Sequence, residues 1–92
     1  MMKEKGGMFV RMDENWAVAP ERVSAFFRKQ PDVQADGDGF RYRSCTIVLL
    51  PLSGQAMGKW EIPRTRVVFE GEDEDVHKIH HRFFLRFLSA GG

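Results

Sequence analysis

The sequence predicts a small two-layer α+β domain of element order (β)αββα, with an antiparallel sheet packed on helices. Two segments with helical spacing of apolar residues alternate with segments rich in β-branched residues. The length of 92 residues suits one domain, and 42% hydrophobic residues is typical of a folded protein. We expect residues 1–7, which are polar and rich in glycine, to form a flexible tail, and residues 8–92 to form the single domain.

The first half of the domain is predicted to contain a short strand and a helix. Residues 8–12 fit a strand, and residues 13–15 fit a turn. Pro20 suits the first position of a helix because its fixed φ and its missing N–H cost nothing there, and Pro31 ends that helix. Residues 32–39 are rich in turn-forming residues and predict a loop.

The second half is predicted to contain two longer strands. Residues 40–50 begin with alternating polarity and end in an apolar run, so we expect a strand that is half exposed at one end and buried at the other. Residues 51–59 contain two glycines and predict a flexible connection to a second strand over residues 60–70. Pro63 cannot donate a ladder hydrogen bond, so it predicts an edge position or a bulge in that strand.

The last helix, from the acidic residues 72–75 to about Leu88, is the most informative segment. The carboxylates suit the positive end of its dipole. Its apolar face is wider than the roughly 100° that a helix on a sheet needs. Exposed apolar surface on a small protein usually marks a contact, which predicts a non-enzymatic binding or assembly module that forms a homodimer through this helix. The predicted interface residues are His81, Phe84, Leu85 and Leu88. The alternative is that the tail or the first helix covers them within one chain.

Two histidines and one aspartate in this helix are weak candidates for a metal site. His77 and His81 are four residues apart and share a helical face with Asp73, so two imidazoles and a carboxylate could bind zinc or iron in a small metal-dependent enzyme. The segment lacks the glutamate of the H-E-x-x-H motif. We therefore expect no metal and no other cofactor, and we expect the histidines to pack as amphipathic aromatic residues.

Four arginines on the predicted strands suggest an anion-binding sheet surface. Arg41 and Arg43 alternate along the first long strand, and Arg64 and Arg66 along the second. If the strand register brings them together, the surface would attract single-stranded nucleic acid. The net charge is only +1, which limits counterion release, so nucleic-acid binding is possible but not favoured. The connection between the strands has no tight-turn signature, so the register stays open.

The remaining patterns favour a cytoplasmic protein without a catalytic centre. Cys45 is the only cysteine and lies among apolar residues, so we expect an inert buried thiol in a reducing compartment. Residues 1–7 lack the apolar segment of a signal peptide, and the apolar run 47–50 is too short to cross a membrane. The aspartates and glycines of residues 36–39 do not fit a calcium loop. The sequence contains no P-loop, G-x-G-x-x-G or G-x-S-x-G motif, and it identifies no small-molecule ligand.

Overall fold

The computed structural model describes residues 8–57 and 60–88, and within them it contains one five-stranded sheet and two helices. In chain order the elements are β1 (Phe9–Trp16), α1 (Pro20–Arg28), β2 (Gln34–Asp36), β3 (Gly39–Tyr42), β4 (Cys45–Met57), β5 (Trp60–Glu72) and α2 (Asp73–Phe87). The sheet order is β1-β5-β4-β3-β2, and all neighbouring strands are antiparallel. The predicted α+β class, an antiparallel sheet packed on helices, is confirmed. The predicted tail, residues 1–7, lies outside the described residues.

Both helices cover the same face of the sheet. In α1 the buried residues are Val23 and Phe27, four apart, as expected for one face of a helix. In α2 the buried residues recur at the same spacing and are Val76, Ile79, Phe83 and Phe87. They pack with the inward residues of the strands, including Phe40, Tyr42, Cys45, Ile47, Val67 and Phe69, to form one core. The amphipathic pattern of each helix therefore predicted its position over the sheet correctly.

The prediction of a turn at residues 13–15 is wrong, because β1 continues to Trp16. Asp13, Glu14 and Asn15 pair with β5, and burial alternates along the whole strand. The Asp13 carboxylate accepts two hydrogen bonds from the Arg66 guanidinium, and Glu14 contacts His80 of α2. These partners are distant in sequence, and they override the local preference of Asp and Asn for turns.

The predicted strand over residues 40–50 is divided in two by a turn at Arg43 and Ser44. Tyr42 pairs with Cys45 across this turn, so β3 and β4 form a tight hairpin. Arg43 adopts the left-handed conformation with φ of 55°, which is uncommon for a residue other than glycine. Asp75 of α2 stabilises the turn by accepting hydrogen bonds from the Ser44 backbone N–H (3.2 Å) and from Ser44 Oγ (2.7 Å).

Two further segments predicted as loops contain strand. The loop over residues 32–39 contains β2, which pairs with β3 around Gly37 in the left-handed conformation (φ 61°). The connection predicted over residues 51–59 is strand up to Met57, and residues 58–59 lie outside the described residues. Pro51 is tolerated in β4 because the pairing with β3 ends at Val48, so β4 has no β3 partner at Pro51.

The expectation for Pro63 is confirmed. Its position in β5 lies opposite a register irregularity of β4 between Leu52 and Gln55. It also lies beyond Thr65, the last β5 residue that pairs with β1. At Pro63, β5 has no β1 residue opposite it, so the missing proline N–H does not remove a hydrogen bond to β1.

Candidate functional site

The predicted interface residues form one stripe along the outside of α2. His81, Phe84, Leu85 and Leu88 follow helical spacing, and we call them the outer stripe. Phe84 is 36% exposed, Leu85 58% and Leu88 49%, and His81 is exposed as well. The buried side of the same helix already completes the core. The outer stripe is therefore apolar surface that this core does not use.

One end of the outer stripe reaches the edge strand β1. The Phe84 ring contacts Trp16 of β1 edge-on at 6.0 Å and stacks on the His80 ring at 6.2 Å. Glu14 Oε1 accepts hydrogen bonds from Trp16 Nε1 and from His80 Nε2, both at 2.9 Å. An ionised carboxylate only accepts hydrogen bonds, so Nε2 of His80 is the donor in this contact. The side of α2 that carries Phe84 and the free edge of the sheet therefore form one continuous surface.

The weak metal candidates lie in the first turns of α2. His77 Nδ1 is 2.6 Å from the Asp73 Oδ1 and 2.9 Å from the Asp73 carbonyl oxygen, so the two residues form a pair within the helix. His81 lies one turn further on and is exposed. In the part of the chain that the structure describes, no group of three or more His, Cys, Asp or Glu side chains is placed to hold a metal ion. The expectation of no bound metal stays a prediction.

The strand register brings three of the four predicted arginines to the same face of the sheet. Arg66 pairs with Leu50 and Arg64 with Leu52, while Arg41 lies on that face through its pairing with Thr46. This face is opposite the two helices, and we call it the open face. The placement of Arg43 beside Arg41 on a strand is wrong. Arg43 lies in the β3–β4 turn, with Nη1 3.8 Å from Asp75 Oδ1.

Carboxylates accompany two of the three arginines of the open face. Arg41 Nε is 3.3 Å from Asp36 Oδ2, and Arg66 binds Asp13 through two hydrogen bonds of 2.8 and 2.5 Å. Hydrogen bonding to Arg66 lowers the pKa of Asp13 below its ordinary value. The middle of this face is apolar, with Val48 39% exposed and Leu50 40% exposed. The open face is thus a surface of mixed charge rather than a basic platform.

Asp75 connects the β3–β4 turn to the first turn of α2. Burial raises its pKa, but the hydrogen bonds from the Ser44 side chain and backbone and the charge of Arg43 outweigh burial, so the net shift is downward. A carboxylate with a lowered pKa stabilises the fold above its ordinary pKa of 3.8, and that contribution is lost as the pH falls through the folded value. The contact between Asp75 and Ser44 therefore stabilises the fold at neutral pH and is lost only in acid.

Cys45 is fully buried at the start of β4, and burial raises the pKa of its thiol to about 11. Thiolate is the reactive form, so we expect native protein at pH 8 to react with a disulfide reagent only as fast as it unfolds. Absorbance measurements of the reaction should show a rate that rises steeply with urea. Stoichiometric reaction of the native protein at the rate of an exposed thiol would contradict this expectation.

A basic cleft between α1 and α2 was not predicted from the sequence. Its volume is about 280 Å³, and its lining residues are Arg22, Ala25, Phe26, Lys29, Gln30 and Arg86. The only available signal was that Arg22 and Lys29 are seven residues apart, and hence on one side of α1. Arg86 joins them because α2 packs beside α1, which the sequence pattern did not predict.

Within the described residues, no helix is long and apolar enough to cross a membrane. Comparisons with curated proteins and with solved structures returned no significant match. A family model described as "Archaeal MoaD-like protein" matches residues 38–92, which is more than half of the chain. The matched segment contains β3, β4, β5 and α2, and thus the centre of the sheet and the outer stripe. The chain therefore belongs to the archaeal MoaD-like protein family.

Proposed function

We propose that this chain is a non-enzymatic assembly module that forms a homodimer through the outer stripe of α2. The observation that carries the proposal is the exposure of Phe84, Leu85 and Leu88 on a helix whose opposite side is already fully buried. Packing of the core therefore does not account for the apolar residues on the exposed side of the helix. A second copy of the same surface is the simplest partner, because in a two-fold interface one patch serves both subunits.

The energetics and the charge of the surface support self-association. Full burial of an exposed leucine or phenylalanine side chain contributes roughly 1.5–3 kcal/mol. Phe84, Leu85 and Leu88 are only 36%, 58% and 49% exposed, so each contributes the corresponding fraction of that free energy when a second copy covers it. Lys78 Nζ lies 3.4 Å from Glu74 Oε2 beside the stripe, so these neighbouring charges compensate one another. Two copies can therefore approach without strong repulsion, and the polar rim stays in water, as in typical interfaces.

Replacing Leu85 by glutamate should disrupt the dimer. Leu85 is the most exposed of the apolar residues of the stripe, and in the dimer the substitution would bury two carboxylates near the two-fold axis. We expect the dissociation constant to rise by at least about tenfold. Light scattering over a concentration series measures the change, with the unsubstituted protein in the same buffer as the reference.

Leu50→Glu is the matched control. It makes the same chemical change at an exposed leucine, but on the open face, where the carboxylate would lie beside Arg66. This variant should dimerise like the unsubstituted protein. A natural protein that stays monomeric at high micromolar concentration would refute the proposal, and equal dimerisation of Leu85→Glu would place the interface elsewhere.

The two other functions considered have less support. The open-face arginines Arg41 and Arg66 each contact a carboxylate, which weakens attraction to a phosphate backbone. The metal site considered for His77, His81 and Asp73 has less support because, among the described residues, no group of three such side chains is placed to hold a metal ion. We therefore expect nucleic-acid binding to be weak and sensitive to salt.

A further inference from the structure

We propose that the basic cleft between α1 and α2 binds a small phosphate ester, with Arg22, Lys29 and Arg86 holding the phosphate. The cleft is separate from the outer stripe and from the open face of the sheet. Its volume of about 280 Å³ is close to the lower limit for a small-molecule site. The ligand is thus a phosphate with a compact organic body, not a large cofactor.

The three cations differ from Arg41, Arg43, Arg66 and Arg82, each of which forms an ion pair with an aspartate. Arg82, on the same helix as Arg86, is bound by Asp32 through two hydrogen bonds of 2.8 Å, and hydrogen bonding to Arg82 lowers the pKa of Asp32. Over residues 8–57 and 60–88, in contrast, none of the ion pairs involves Arg22, Lys29 or Arg86. Three positive charges around one cleft repel one another, so an anion between them is electrostatically favoured.

Contacts with the core hold the cleft in shape. The guanidinium carbons of Arg22 and Arg86 lie 5.8 Å and 5.3 Å from the centre of the buried Phe87 ring, one from each helix. Cations at this distance are attracted to the ring. Gln30 is fixed at the other end, since its Nε2 donates to the Phe26 carbonyl (3.2 Å) and its Oε1 accepts from Arg82 (3.2 Å). Less side-chain freedom is then lost when an anion binds.

The charge and shape of the cleft favour a phosphate ester over a carboxylate. A phosphate monoester carries between one and two negative charges at neutral pH and offers three acceptor oxygens, which suits three cations better than a single carboxylate does. The planar fork of an arginine pairs with two oxygens of either anion, so the preference for phosphate rests on its higher charge and its third acceptor oxygen. Ala25 and the half-buried Phe26 form the apolar part of the lining, against which the organic body of the ester would pack.

The test is a titration of the full chain with phenyl phosphate, inorganic phosphate and benzoate, followed by amide chemical shifts. Phenyl phosphate should give saturable shifts at Ala25, Phe26 and Gln30, with a dissociation constant below about 10 mM. Inorganic phosphate should bind more weakly because it lacks the organic body, and benzoate more weakly still because it has one charge. Arg22→Gln, Lys29→Gln and Arg86→Gln should each weaken binding of phenyl phosphate by roughly fivefold.

Arg28→Gln is the matched control, because it removes one positive charge from α1 outside the cleft. It should leave the affinity unchanged, and thermal melting should show that all four variants are folded. An equal loss in Arg28→Gln would reduce the effect to net charge and overturn the proposal. So would absence of saturable shifts with phenyl phosphate, or binding of a thymidine oligonucleotide alone, since that would indicate a polymer surface instead of a small-molecule site.

Discussion

Replacing Phe83 by alanine should lower the free energy of unfolding by about 3–5 kcal/mol. Phe83 is completely buried at the centre of an aromatic cluster. Its ring stacks on Phe27 at 5.7 Å and lies 5.0 Å from Trp16 and 5.6 Å from Phe69, so it joins both helices to β1 and β5. Truncation leaves a cavity that four separate elements would have to close, and urea denaturation monitored by circular dichroism measures the loss.

Phe9→Ala provides the comparison for this experiment. Phe9 is 68% exposed on the open face of β1, so the same truncation creates no cavity there. The expected change is less than about 1 kcal/mol. A similar decrease in the free energy of unfolding in both variants would contradict this prediction, because the effect would then not depend on burial of the ring in the core.

Replacing Gly71 by alanine should destabilise the protein by about 3 kcal/mol through overpacking. A Cβ atom at this position would lie 2.6 Å from the Cys45 Cα and 2.6 Å from the Ser44 carbonyl oxygen. Both atoms belong to the backbone and cannot move aside as a flexible side chain could. Relief would require separation of β5 from the β3–β4 turn, which the hydrogen bond from the Glu72 N–H to Ser44 Oγ opposes.

Gly37→Asn is the control for a glycine whose surroundings are open. A Cβ atom at Gly37 would meet nothing within 4 Å, and asparagine tolerates the left-handed conformation that Gly37 adopts. This variant should lose less than about 1 kcal/mol. If Gly71→Ala were as stable as Gly37→Asn in the same thermal melts, the close approach of β5 to the turn would be disproved.

The two helices were predictable because their side-chain pattern is local and strong. The spacing of Val23 and Phe27, and of Ile79 and Phe83, already defines which side of each helix is buried. The turn at Arg43 and Ser44 was not predictable in this way. It depends on Asp75, 31 residues away, and its two residues are not those that usually form tight hairpins.

The same distinction applies to the candidate sites: a site within one element was predictable, and a site formed by two elements was not. Phe84, Leu85 and Leu88 could be proposed as an outer stripe because one helix contains all of them. The basic cleft could not, because Arg22 and Lys29 meet Arg86 only when two helices pack side by side. Likewise, the shared face of Arg41, Arg64 and Arg66 depends on strand register, which long connections without turn signals do not specify.

The sheet order has a consequence for how the chain folds. From β2 to β5 every strand pairs with its neighbour in sequence, so this meander can form by successive closure of short loops. β1 cannot pair until β5 is in place, because the first strand of the chain pairs with the last one, with Phe9 opposite Glu72. Closing that long loop costs more entropy than closing a hairpin. We therefore expect the β2–β5 meander to form first, and docking of β1, which completes the core under α2, to follow in a later step.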